Sequence, residues 1–294
     1  MTDDSPAVAL LTGRDHPDLT EDGRALADEL KRRGIHAEPV VWSTADVDRL
    51  GDYDAALIRA CWDYHTDLDG FLSFLEALSA SAVAVYNPLA VVRWNAHKSY
   101  YQDLAAAGLP VPPSVCLDAG TDTSLEGILE AHGWAEAVVK PAVGAGSEGV
   151  WRTTLETAAA DQQRFVAACA DSDVVVQQYR PEIKHGERSL VFVDGEYSHA
   201  WNDPTKPDDF SDFEPPAFGY EPDDKTRETA RAVLDVACEQ AGYTPADLPY
   251  ARVDYVDSDD GLLVLEVELI EPNLGLVGAG AVERLAEAVA KRLS

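Results

Sequence analysis

The run Leu262-Leu263-Val264-Leu265-Glu266-Val267-Glu268-Leu269-Ile270 restricts the architecture of this 294-residue chain more than any other stretch. Its aliphatic residues demand a buried strand, and in an extended strand residues two apart share one face, roughly 7 Å apart. Glu266 and Glu268 therefore present both carboxylates on the same side of a greasy sheet. Burying each charge costs several kcal/mol, and their repulsion adds about 2 kcal/mol at an effective dielectric of 20. A divalent cation would cancel both penalties. Asp254, in the preceding strand-like run 251–256, could supply a third oxygen ligand. Oxygen-only ligation with room for phosphate and water points to Mg²⁺, with Mn²⁺ also compatible, rather than zinc. The plainer alternative is a set of solvated acids in an acid-rich chain. It fits poorly with two acids inside an aliphatic run.

The length suffices for two or three lobes with their own cores. At 46% hydrophobic and 8% aromatic residues the chain is globular. It contains no stretch of about 18 apolar residues, and its start lacks a basic region, so neither a membrane span nor export is expected and the location is cytoplasmic. The four cysteines (Cys61, Cys116, Cys169 and Cys238) are scattered without a Cys-x-x-Cys pair. They read as buried thiols, not a disulfide framework or a zinc site. Against 23 Lys and Arg stand 53 Asp and Glu, a net charge of −30. Such a surface repels nucleic acid and anionic membranes. The acids spread along the whole chain, and at about 1 M salt the Debye length falls to about 3 Å. The charge is therefore read as adaptation to the salt-rich cytoplasm of a halophile.

The first ninety residues alternate strand and helix: strands over 7–11, 37–42, 55–59 and 83–86, with helices over 19–33 (Thr20 as N-cap, Gly34 as stop) and 68–78. This α/β pattern implies a small, mostly parallel sheet. The loop Arg59-Ala60-Cys61-Trp62-Asp63-Tyr64 follows a strand end, where α/β ligands bind. Arg59, Trp62, Asp63 and Tyr64 are candidate substrate contacts, although core packing explains the aromatics as well. Pro88 ends this lobe, and Asn95 is expected to cap a helix through Ala107 with Lys98 in its first turn. Further helices are expected over 157–170, 225–240 and 282–293, with strands over 174–179, 189–193 and 196–200, the last two joined by the turn Asp194-Gly195. The proline-rich acidic stretch 202–224 reads as a long functional or disordered loop.

Gly144-x-Gly146-x-x-Gly149 formally matches a dinucleotide fingerprint, but that motif needs a helix directly afterwards, and Val150-Trp151-Arg152-Thr153 reads as strand. No Gly-Lys-Ser/Thr follows, so a Walker loop is absent. What remains is a strand carrying Lys140, a flexible Gly/Ser loop and a second strand. Such a loop can fold over phosphates, offering backbone N–H groups and the Ser147 hydroxyl. A plain hairpin with a floppy tip is the alternative.

Taken together, four segments resemble the ATP-grasp superfamily, in its glutathione synthetase-like branch. They are Lys98; Lys140-Pro-x-x-Gly-x-Gly-Ser-x-Gly; Gln177-Gln178-Tyr179-Arg180 through Glu187; and Arg252-x-Asp254 with Glu266-x-Glu268. Trp62-Asp63-Tyr64, Ser198-His199-Ala200 and Glu268-Leu269-Ile270-Glu271-Pro272 are similar to the O-ureidoserine cyclo-ligase family within that branch. The resemblance implies an ATP-grasp fold: a Rossmann-like lobe over 1–94 and an ATP-grasp domain over 95–294. The latter divides into a lid at about 110–176 and a metal-binding subdomain at about 177–294. It also implies that Lys98 and Lys140 bind ATP phosphates and that Gly144, Gly146, Ser147 and Gly149 form the lid. Gln178, Tyr179 and Arg180 border the adenine, and Glu187 accepts from the ribose. Asp254, Glu266 and Glu268 hold Mg²⁺, and Arg252 stabilises charge on the phosphoryl group or substrate carboxylate. A surface ion pair is the alternative for Arg252 and Glu187. His199 is a candidate base, or a structural histidine.

Two departures stand out. Glu268 occupies a place where the family usually has Asn, with Asn273 five residues on. The loop after His199 offers Lys206 among Asp203, Asp208, Asp209, Asp212 and Glu214 instead of basic residues or paired glycines. The expected activity is an ATP-dependent carboxylate–amine ligase that works through an acylphosphate on small amino-acid-like or peptide substrates. An intramolecular cyclo-ligase and a nucleotide-binding regulator without turnover are the alternatives. No nucleic-acid or membrane partner is expected, and a dimer is compatible with the sequence.

Overall fold

The computed structural model describes residues 5–81, 83–203, 217–259 and 261–294. Lys206 and the acids Asp208, Asp209, Asp212 and Glu214 of the expected loop lie outside the described residues. The alternating first segment forms a parallel sheet in the order β2-β1-β3-β4, from β1 (Ala7–Thr12), β2 (His36–Val41), β3 (Ala55–Ala60) and β4 (Ala84–Tyr86). Thr20 caps the helix Glu21–Arg32, its hydroxyl accepting from the Gly23 N–H at 3.2 Å. Leu26 and Leu30 of that helix bury against Val8, Leu10 and Leu57 of the sheet.

Two antiparallel sheets follow. The first, ordered β5-β8-β6-β7, contains β5 (Ser114–Leu117), β6 (Glu136–Pro141), β7 (Trp151–Thr154) and β8 (Val174–Gln178). Trp134, Trp151 and Phe165 fill the space between it and the helices Leu125–His132 and Ala158–Asp171. The second, ordered β11-β10-β9-β12-β13, contains β9 (Glu187–Val193), β10 (Glu196–Asp203), β11 (Ala217–Phe218), β12 (Tyr250–Ser258) and β13 (Gly261–Glu268). Asp194 and Gly195 turn the β9–β10 hairpin with φ of 55° and 76°, the paired left-handed conformation that matches strand twist. The helix Asp224–Ala241 covers this sheet, packing Val233 and Leu234 into the core of Phe192 and Tyr255. The last helix, Val282–Arg292, returns to the first lobe. Its Leu285 and Val289 share one core with Leu26 and Leu30, and with Val193 and Tyr250 of the large sheet.

Asn95 departs from expectation. It ends the helix Leu89–Asn95, and a separate helix, Tyr100–Ala106, follows. Its amide instead serves the sheet: Nδ2 donates to Val267 O at 2.7 Å and Oδ1 accepts from Leu269 N–H at 2.8 Å. Polar backbone at a buried sheet edge needs partners as much as a helix end does. Lys98 consequently lies in the turn between the two helices, its N–H bonded to Ala142 O at 2.8 Å.

Candidate active site

A cleft of about 730 Å³ opens between the two antiparallel sheets and reaches Trp62 and Tyr64 of the first lobe. Strand register sets its floor. Arg252 pairs opposite Glu268 and Asp254 opposite Glu266, while Tyr255 already faces Val264, so Leu265 is an extra, bulged residue. Past the bulge, Glu266 and Glu268 turn to the cleft while Val267 stays buried, the re-aiming that a bulge produces.

Each acid there meets a cation. Arg252 grips Asp254 with two N–H groups, Nε to Oδ1 at 2.9 Å and Nη2 to Oδ2 at 2.9 Å. It also bonds Glu268 and donates from Nη1 to Asn273 O at 2.8 Å. Ser189 Oγ donates to Asp254 Oδ1 at 2.6 Å. Lys98 Nζ lies 3.0 Å from Glu266 Oε1 and donates to Gly144 O at 3.0 Å, tying the glycine loop to β13. Lys140 instead donates to the Tyr101 hydroxyl at 2.9 Å and Gln177 Oε1 at 3.1 Å, and sits 4.7 Å from the Tyr101 ring centre. Tyr101 donates in turn to the carbonyl of the bulged Leu265.

Burial and neighbouring charges pull these groups apart. Burial lowers Lys140 to about 8, although Glu266 opposes the shift. Burial also pulls on Lys98, but Glu266 outweighs it and the pKa rises. Glu266 is raised by burial and lowered further by Lys98 and Lys140, ending at about 2. Glu268 goes the other way: burial, with Asp254 and Glu266 beside it, lifts it well above the carboxylate range despite Arg252. Burial brings Glu271 to about 7, with Glu266 contributing. Among the described residues no three acids, histidines or cysteines already form a metal cage, and Asp254 is paired with Arg252. The donor set nevertheless suits a hard divalent cation: it is all oxygen, and the carboxylate crowding that raises Glu268 is what a 2+ charge relieves.

The structure brings most of the expected residues to this cleft. Lys98, Lys140, Arg252, Asp254, Glu266 and Glu268 line it. So do Gly144, Gly146 and Ser147 of the loop, and Gln178, Tyr179, Arg180 and Glu187 at the far wall. The amides of Gln178 and Tyr179 are already bonded, to Pro113 O at 2.9 Å and Glu136 O at 3.1 Å. β7 pairs back on β6 directly after the loop, which removes the dinucleotide reading. Gly149 lies outside the lining, turning the loop (φ 72°) against Pro141.

Three substrate candidates are structural in this arrangement. Arg59 is 6% exposed, donates from Nη2 to Pro272 O at 3.0 Å and stacks on Tyr250 at 4.8 Å. Asp63 accepts from Trp42 Nε1 at 2.7 Å and from the Arg14 N–H at 3.1 Å, fixing a loop of the first lobe. His199 is bonded through Nε2 to Leu274 O at 2.7 Å, and burial lowers its pKa. Each sits one layer behind the cleft. Conversely, Tyr101 and Ser189 escaped the sequence reading, and Gln177 and Glu271 stood in its motifs without a role. Their motif positions resemble core aromatic, strand polar or loop residues, and only the register brings them to the site.

Two antiparallel sheets closed over paired lysines and a carboxylate strand define the ATP-grasp class. The ATP-grasp ligase PsnB, solved with a minimal precursor, Mg and ADP, shares the fold with a TM-score of 0.66 at 16% identity, covering 98% of this chain and 97% of that one. Residues 8–87 match the family model described as the N-terminal domain of D-cycloserine synthetase DcsG. Over 301 residues the chain is 34% identical to the cycloserine biosynthesis protein DcsG of Streptomyces lavendulae, covering 98% of this chain and 96% of the relative. The crystal structure of D-cycloserine synthetase DcsG superposes with a TM-score of 0.86 at 32% identity, covering 98% of this chain and all of that one (100%). The chain belongs to the DcsG family of ATP-grasp proteins. It is an ATP-dependent C–N ligase that joins a carboxylate to an amine.

Proposed function

We propose that the cleft binds Mg·ATP and that the enzyme activates a small amino-acid-like or peptide carboxylate as an acylphosphate before an amine closes the C–N bond. The observation that carries this reading is the convergence of Lys98 and Lys140 with Asp254, Glu266 and Glu268 in one cleft. Lys98 and Lys140 hold the phosphates, and the loop 144–149 covers them with backbone N–H groups and Ser147. Gln178 to Arg180 border the adenine, and Glu187 accepts from the ribose hydroxyls. Asp254, Glu266 and Glu268 hold Mg²⁺ or Mn²⁺, which supplies charge neutralisation at the phosphate oxygens. Arg252, beside these acids, would stabilise charge on the transferring phosphoryl group or the substrate carboxylate.

A carboxylate oxygen attacks the γ-phosphorus while the bond to the bridging oxygen of ADP breaks. The amine nitrogen then attacks the acyl carbon, phosphate leaves with the C–O bonding pair, and the amine loses a proton. Positioning and fixed charge suffice for both steps, so no Ser or Cys nucleophile is required. The lobe 1–94 contributes Trp62 and Tyr64 to the substrate end, the lid about 110–176 covers the nucleotide, and about 177–294 carries the metal strand. A salt-rich cytoplasm is the setting that the charge of −30 favours.

The test is ADP release from Mg·ATP with a panel of amino acids in high salt. Carboxylate-dependent ADP is expected; no ADP above background with any substrate sinks the reading and leaves a nucleotide-binding regulator. A second reading is intramolecular ring closure. Its support is the full-length similarity to DcsG, a protein named for cycloserine biosynthesis. ADP and a cyclic product without an added amine would decide for it.

A further inference from the structure

The segment after β13 is fixed by side chains from several other elements. Asn87 Nδ2 donates to Leu269 O at 2.6 Å, and the Tyr250 hydroxyl shares its proton between Ile58 O at 2.6 Å and Ile270 O at 2.8 Å. Trp62 Nε1 donates to Glu271 O at 3.0 Å and Arg59 Nη2 to Pro272 O at 3.0 Å. Four successive carbonyls are thus pinned, and a backbone held this way aims its side chains rigidly. The side chain so held is that of Glu271, which is 8% exposed and lines the cleft.

Its carboxylate takes a hydrogen bond from its own amide. Among the described residues no Lys, Arg or His forms an ion pair with it, because Lys98 is held by Glu266, and Arg252 by Asp254 and Glu268. Lys98 and Arg252 act on it only from a distance, and burial favours its neutral form, so a ligand that brings a positive charge into contact gains by holding the carboxylate ionised. Trp62, 36% exposed, and Tyr64 wall the same end of the cleft. Aromatic faces attract an organic ammonium, whereas Mg²⁺ takes a set of oxygen ligands, which Asp254, Glu266 and Glu268 already offer.

We infer that Glu271, with Trp62 and Tyr64 beside it, is the specificity-determining anchor for the ammonium group of a zwitterionic amino-acid substrate. This deepens the ligase reading and rests on it. The test measures calorimetric binding of D-alanine, D-serine and O-ureidoserine, each against its N-acetyl form, to protein loaded with Mg²⁺ and a non-hydrolysable ATP analogue. The wild type should prefer the free amine at least tenfold. In Glu271→Gln the preference should collapse to within about twofold, while affinity for the Mg²⁺-bound ATP analogue is unchanged. Glu271→Asp keeps the charge and retracts it. It should weaken only the free amines, and it serves if the Gln variant does not fold. A preference that survives in Glu271→Gln overturns the inference, as does a wild type indifferent to acetylation. Loss of affinity for the Mg²⁺-bound ATP analogue in the variant also overturns it, since the acid would then belong to the metal. Failure of the ligase reading is a separate outcome, read as absent ADP release, and leaves the ammonium preference measurable.

Discussion

At the scale of single residues, Lys140 shows how burial sets a working range. Its folded pKa of about 8 lies below the ~10.4 of an unfolded lysine. Between those values the unfolded chain binds more protons, so this residue makes stability rise with pH across about 8 to 10.4. Below pH 8 the folded protein keeps the buried cation at a cost in stability, and that cation is what a phosphate needs. ATP affinity should therefore fall as pH rises past 8, with the step displaced upward as bound phosphate holds the proton. Lys140→Met should lose the step and weaken ATP binding by roughly 10- to 100-fold, the worth of a hydrogen bond to a charged group of about 1.5–3 kcal/mol. Calorimetry at pH 7, 8 and 9.5 checks this; superimposable pH profiles for the two proteins would refute it. With Glu266 at the proposed metal site, Glu266→Gln should raise the Mg²⁺ concentration required for ATP binding. Unchanged ATP affinity at limiting Mg²⁺ would remove Glu266 from the metal.

At the scale of elements, the glycines separate turns that must be tight from a loop that must be open. Gly195 (φ 76°) turns the β9–β10 hairpin, and a Cβ there would lie 2.7 Å from the carbonyl group of Pro245. A Cβ on Gly146 (φ 60°), in the loop 144–149, would meet nothing within 4 Å. Gly195→Ala combines left-handed strain with a backbone clash and should destabilise by about 1–3 kcal/mol or more. Gly146→Ala carries only the left-handed penalty of about 1–2 kcal/mol. Denaturant midpoints at equal slope would rank them, and an equal or reversed order would contradict the close packing under the hairpin.

The same scale shows what the sequence made legible. Short apolar, strand-like runs and the Asp194-Gly195 pair marked β9, β10, β12 and β13 because those signals are local. The bulge at Leu265 left no local trace, since an extra aliphatic residue inside an aliphatic run looks like continuation. Asn95 read as a cap because its side-chain chemistry is the same whether it serves a helix end or a strand edge 172 residues away. Arg59, Asp63 and His199 read as ligands because guanidinium, carboxylate and imidazole fit a cleft. They fit equally well the carbonyls and indole that long-range packing brings to them, and sequence spacing carries no information on which partner arrives.

For the whole molecule, the dominant quantity is charge. Among the cations, Lys98 and Arg252 are committed to acids of the cleft, and Arg152, Arg180 and Arg227 are paired with nearby carboxylates. Most of the 53 acids therefore repel one another across the surface of a chain with net charge −30. Salt screens exposed charges, with the Debye length falling from about 10 Å at 0.1 M to about 3 Å at 1 M, and leaves buried pairs largely intact. Raising KCl should thus remove repulsion while preserving the Lys98–Glu266 and Arg252–Asp254 contacts. Relief of ~2 kcal/mol would lift the unfolding midpoint of this 294-residue chain by roughly 3 °C, at ~2.1 cal/mol/K of unfolding entropy per residue. Thermal scans from 0.1 to 1 M KCl test this, with the swap Glu148→Lys, Asp171→Lys and Glu239→Lys at exposed positions as the internal comparison. That variant, six charges closer to neutral, should need less salt for the same midpoint. A midpoint that is flat or falling with salt in the natural sequence would mean that the acids are already offset locally, and the case for a salt-adapted surface would fail with it.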